Sequence, residues 1–102
     1  MESELTKRVV GCLDELVDEE TMRKFKELNI ITEVKVEGDG SVVIRFQPLS
    51  PYSPLAVSTG REIRKAALSV EGVKAIRVEC NGHMMDDLVD KLVNKAEIGQ
   101  NK

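Results

Sequence analysis

Between Ile30 and Gln47 the chain alternates apolar and polar residues twice, on either side of Glu37-Gly38-Asp39-Gly40-Ser41. Before the glycines, Thr32, Val34 and Val36 share one phase, and Glu33, Lys35 and Glu37 share the other. After them Val42, Ile44 and Phe46 fall in phase, opposed by Arg45 and Gln47. Strand side chains alternate between faces, so each run presents one apolar face. A Gly-Asp-Gly tip supplies the backbone freedom of a tight reversal, and the runs are predicted to pair as an antiparallel hairpin. A sheet that is apolar on one face is covered on that side alone, so the rest of the chain has to supply helices for a single face.

The flanking segments have helical spacing. Ser3 is suited to cap a helix over about residues 4–17, with Leu5, Val9, Leu13, Leu16 and Val17 as its apolar stripe. Asp18-Glu19-Glu20 interrupts it, and Met22, Phe25 and Leu28 continue at threefold spacing as a short second helix. Beyond the hairpin, Ser53-Pro54 reads as N-cap and first helical position of a helix with Thr59, Ile63, Ala66, Ala67 and Val70 inward. Ile76, Val78 and Cys80 mark a third strand. Met85, Leu88, Val89, Leu92 and Val93 mark a short last helix. The order α-β-β-α-β-α gives an α+β fold, a two-layer sandwich with a small three-stranded sheet and helices on one face. A helix returns the chain across the sheet, so the third strand runs parallel to the second, while its edge is left open. One domain over residues 1–98 and a disordered tail over 99–102 complete the expectation.

Composition excludes several functions. With one Tyr, two Phe and no Trp, the core is aliphatic. The net charge is −3 and the cations are dispersed among acids, which disfavours a phosphate-binding face. No apolar run approaches the ~20 residues of a membrane span. The start, Met1 to Val10, is acidic and polar rather than signal-like, and the two cysteines read as reduced thiols, so a cytoplasmic location is expected.

Leu49-Ser50-Pro51-Tyr52-Ser53-Pro54-Leu55-Ala56 joins the hairpin to the following helix. With hairpin, corner, helix and strand in this order, the chain resembles the iron–sulfur cluster assembly accessory domain, the PaaD-like and SufT-like proteins of metal–sulfur cluster biosynthesis. The family pattern lies on this chain without a gap from about Val17 to Glu79. Its D-P-E falls on Asp18-Glu19-Glu20 and its D-L-G on Glu27-Leu28-Asn29. Its T-S-P-G-C-P-L-A falls on Leu49 to Ala56, where Ser50, Pro51, Pro54, Leu55 and Ala56 agree. Its P-G-V falls on Glu71-Gly72-Val73. The family's threonine is Leu49 here, its glycine Tyr52 and its cysteine Ser53, and its late aromatic segment is replaced by Asn81 to Val93. Metal handling in the family hangs on that cysteine. The resemblance therefore implies a non-catalytic scaffold or adaptor that binds assembly factors or client apoproteins, without a cofactor. Carried over residue by residue, the partner-binding set is Asp18, Glu20, Ser50, Pro51, Tyr52, Ser53 and Pro54.

The residues themselves favour plain roles. Serine at a helix start accepts an N–H bond, whereas a nucleophilic serine needs an adjacent base, which this chain offers only in His83, far along the sequence. Cys12 and Cys80 are both in phase with the core. Cys80-Asn81-Gly82-His83 could place a thiolate and an imidazole on one ion, but a closed site needs four ligands. A metal or cluster carrier using Cys80 and His83, or a Cys12 shared between subunits, is the alternative. A small nucleic-acid-binding module is a weaker one, since there is no G-x-x-G loop. Asp18 and Glu20 read as a solvated turn or as charges before the next helix. Tyr52, between prolines, is equally a partner anchor or a cover for the sheet edge. Met84 and Met85 suit core filling better than a partner groove. Protein partners are expected, with no nucleic acid and no membrane, and a homodimer is left open.

Overall fold

The structure, a computed structural model, describes residues 4–100, with side chains through Asn94. Its elements are α1 (Glu4–Asp14), α2 (Phe25–Leu28), β1 (Ile31–Val36), β2 (Ser41–Phe46), α3 (Ala56–Leu68), β3 (Ala75–Cys80) and α4 (Asp86–Gln100). The predicted order holds: helices and a three-stranded mixed sheet form an α+β domain.

β1 and β2 form the expected antiparallel hairpin, Val34 opposite Ile44 and Val36 opposite Val42. At its tip Gly40 has φ +90°, and the Asp39 carboxylate accepts the Ser41 N–H at 3.0 Å. β3 runs parallel to β2 and joins its free edge, giving the order β1-β2-β3. Val42, Ile44, Phe46, Val78 and Cys80 are buried beneath the helices with Val9, Leu13, Phe25, Ile63, Ala67, Val89 and Val93. On the open face Arg45 reaches Glu33 at 3.2 Å and Glu79 at 3.0 Å, tying all three strands. Hydrogen bonds from Arg45 and then Arg77 hold the Glu79 carboxyl below its usual range.

Four local expectations are corrected. α1 stops at Asp14 instead of running to Val17, because Leu16 folds back to the Leu13 carbonyl and the chain enters a loop closed by Asp18. There the Asp18 N–H donates to Arg23 and the Met22 N–H donates to Asp18, both at 2.8 Å. Met22 therefore turns outward with φ +61° and is 76% exposed, rather than continuing an apolar stripe. Thr32 is exposed, because a bulge between Ile31 and Glu33 shifts the register beneath it. The last helix runs through Gln100, longer than expected. The Ser3 cap and the end of the tail, residues 101–102, lie outside the described residues.

Two devices fix α4. Gly60 lies where α3 crosses α4, and a Cβ built there would sit 2.5 Å from Val93 Cγ2. A glycine inside a helix is unfavourable by about 1 kcal/mol, and here it permits the close crossing. On the other flank, Asn94 takes up the outer edge of β3. Its Oδ1 accepts the Val78 N–H at 3.0 Å and its Nδ2 donates to the Val78 carbonyl at 2.8 Å. Asp90 Oδ1 accepts the Cys80 N–H at 2.5 Å. Side chains of α4 thus satisfy backbone groups that a further strand would take.

Candidate functional site at the corner

The segment between β2 and α3 is built from successive turns. The Ser50 hydroxyl accepts the Tyr52 N–H at 3.1 Å, and the Ser53 N–H donates to the Ser50 carbonyl at 3.1 Å. Tyr52 is left 72% exposed. Ser53 does not cap α3 as the sequence suggested. Regular helix begins at Ala56, the preceding residue is Leu55, and that position makes no side-chain cap bond. Pro54 has no N–H to give, so the Ser53 hydroxyl instead accepts the Leu55 N–H at 3.3 Å, closing a turn ahead of the helix.

The loop after β3 docks onto this corner. The Met84 N–H donates to the Pro51 carbonyl at 2.9 Å. His83 Nδ1 lies 3.0 Å from the Met85 N–H and Nε2 lies 3.1 Å from the Ser53 carbonyl. An N–H facing Nδ1 requires a lone pair there, so Nε2 carries the proton and donates to Ser53. Asp86 holds the loop from below, accepting the His83 N–H at 2.7 Å and the Gly82 N–H at 3.2 Å. Gly82, at φ +107°, makes the reversal. A shallow concavity of about 500 Å³ is lined by His83, Met84, Met85, Asp86, Asp87 and Leu88. Met84 (66%), Met85 (50%) and Leu88 (44%) are exposed, so the expectation of a core role for the methionines is overturned.

Cys80 and His83 are each engaged within the fold. Cys80 is buried, and burial, the hydrogen bond its thiol donates to the Asp86 carboxylate and the charges of Asp86 and Asp90 push the thiol up to about 12. Both ring nitrogens of His83 are engaged. Among the described residues no group of three or more His, Cys, Asp and Glu is placed to hold a metal ion. Cys12 is half-buried, its thiol directed at the Ala66 carbonyl of α3 at 3.6 Å.

The acidic loop is divided. Asp18 is buried, and its Oδ2 accepts from the Glu20 N–H, the Thr21 N–H and the Thr21 hydroxyl. That carboxylate fastens its own turn, and Glu20 stands exposed on it. Glu19 is the acid that reaches α3, accepting the Ser58 hydroxyl at 3.0 Å. Of the seven carried-over residues, Ser50 to Pro54 are contiguous at the corner, whereas Asp18 is withdrawn into the fold.

Sequence reasoning missed His83 as a bridge and Asp86, Asp90 and Asn94 as anchors. The signal for the last three was their fourfold spacing, a polar stripe beside the apolar pair Val89 and Val93. His83 had no local signal, because its partner is thirty residues away in sequence.

Residues 6–80 match the family described as iron–sulfur cluster assembly protein. The chain belongs to that family. It is 25% identical over 89 residues to uncharacterized protein MJ1129 of Methanocaldococcus jannaschii, covering 87% of this chain and 94% of that protein. The crystal structure of a domain of unknown function, DUF59, from Bacillus anthracis shares the fold with a TM-score of 0.70, at 18% identity, over 93% of this chain and 92% of that one. The family assignment agrees with the resemblance read from the corner motif. In the described residues no helix is long and apolar enough to cross a membrane.

Proposed function

We propose that this member of the iron–sulfur cluster assembly family is a non-catalytic cytoplasmic adaptor of the PaaD-like and SufT-like kind. It docks assembly factors or client apoproteins on the surface where residues 50–55 meet residues 81–88. The observation that carries the reading is the pair of bonds from Met84 to Pro51 and from His83 to Ser53, which join the segment bearing exposed Tyr52 to the one bearing exposed Met84, Met85 and Leu88. Contiguous exposed apolar side chains on a braced loop mark interaction surfaces, and thioethers adapt to more than one partner. Ser53, standing where the resembling family keeps cysteine, offers no thiolate, so the surface acts by binding rather than by holding a cluster.

The test is photo-crosslinking from position 52 in cells, followed by affinity measurement with the protein recovered. Crosslinks to a cluster scaffold, a cysteine desulfurase or an iron–sulfur apoprotein are expected, with Tyr52→Ala and Met84→Ala weakening that complex at unchanged melting temperature. Purified protein that holds stoichiometric iron, with a charge-transfer band lost in Cys80→Ala, would replace the adaptor by a carrier.

A further inference from the structure

We propose that the outer edge of β1 pairs with the same edge of a second copy of the chain, joining the two sheets across a twofold axis at Val34. The two edges of the sheet are finished differently. On β3, Asn94 takes the N–H and C=O of Val78, and Asp90 takes the N–H of Cys80. β1 has β2 on one side and, among the described residues, no strand on the other. A row of unpaired ladder groups is a template for another chain.

The hairpin phase says which groups those are. The Glu37 N–H donates to the Ser41 carbonyl at 2.8 Å. Antiparallel partners alternate between bonded and non-bonded pairs, so the backbone groups of Lys35 and Glu33 turn towards β2 and those of Val34 and Val36 turn outward. The side chains of Glu33 and Lys35 meanwhile stand exposed.

Charge then selects both the occupant and the register. With Val34 opposite Val34, Glu33 of each copy faces Lys35 of the other, twice by symmetry. With Val34 opposite Thr32, Glu33 faces Glu33; with Val34 opposite Val36, Lys35 faces Lys35. Centring on Val36 sets Lys35 against Glu37 but Glu33 against Asp39, and runs into the hairpin turn. Only the first register opposes unlike charges without a like pair. Glu33 already accepts Arg45 at 3.2 Å, whereas no ion pair engages Lys35 among the described residues, which leaves this cation for the second copy. The bulge between Ile31 and Glu33 ends the regular edge, so the ladder is short and the association weak.

Sedimentation equilibrium of the full chain from about 10 μM to 1 mM is the test, in the range where small interfaces associate. A monomer–dimer equilibrium is expected. Lys35→Glu sets carboxylates against each other at both symmetric positions and weakens association about tenfold. Glu33→Lys does the same with cations, losing only an exposed ion pair within the chain. An equimolar mixture of the two variants recovers association as a heterodimer, because each copy then presents one sign to the other. Circular dichroism verifies that both variants stay folded. A wild-type monomer at the highest concentration, variants that associate as wild type, or a mixture that fails to recover would each overturn the proposal.

Discussion

Replacing Gly60 by alanine sets two effects of opposite sign against each other. In an unobstructed helix interior the change is favourable by about 1 kcal/mol. Here the new methyl would lie 2.5 Å from Val93 Cγ2, 3.2 Å from Val93 Cγ1 and 3.3 Å from Phe46 Cε1. Both neighbours are fully buried, and valine is stiff about its first side-chain torsion, so neither side chain can swing into solvent. The helices have to separate, and inserting a methyl into a filled core is unfavourable by about 1–3 kcal/mol. At so short a distance the upper half of that range applies, leaving a net loss of about 1–2 kcal/mol. In a domain of this size that lowers the melting temperature by roughly 5–10 °C. The assay is calorimetry or thermal circular dichroism of a double-mutant cycle. Val93→Ala alone opens a cavity and destabilises, but in the Gly60→Ala background it makes room for the new methyl, so the two losses add to less than their sum by about 1 kcal/mol. A stabilised Gly60→Ala, or losses additive within about 0.5 kcal/mol, would refute the close crossing of α3 and α4.

Asn94→Ala leaves the Val78 N–H and C=O without partners on a half-buried edge, and stability measured by urea unfolding falls by about 1–3 kcal/mol. The Cys80 thiol, raised to about 12 in the folded chain, keeps a proton that the unfolded chain releases above ~8.5. Its contribution is therefore complete below that value and is lost as pH rises towards the folded value, so wild type loses stability relative to Cys80→Ala across this alkaline window in pH-dependent denaturant titrations. In a Cys12→Ala/Cys80→Ala background, Ser53→Cys receives the Leu55 N–H beside the start of α3, and pH-dependent alkylation gives a thiol pKa below the ~8.5 of a free cysteine.

What the chain writes locally was legible. The two alternating runs specified the hairpin, because a period of two fixes which side chains share a face whatever lies around them. Ile63 and Ala67 of the α3 stripe followed from helical spacing, and the parallel sense of β3 from the helix that carries the chain back across the sheet. The corner motif brought the family into view, since its prolines and small residues stand at fixed offsets along the chain. Other features depended on groups far apart in sequence. Met85 stands at helical spacing from Leu88 and Leu92 and reads as core, yet α4 turns Val89 and Val93 inward because Asp90 and Asn94 must meet the edge of β3. Asp18 looked like a surface acid until the N–H groups of its own turn closed around it and drew the chain out of α1. Ser53 looked like a helix cap until the turn at Pro54 delayed the helix. The meeting of the corner with the loop at His83 was decided by the tertiary structure alone. Hydrogen bonds between segments thirty residues apart leave no periodic trace, and the imidazole shows its role only where the fold brings Ser53 and Met85 to its two nitrogens.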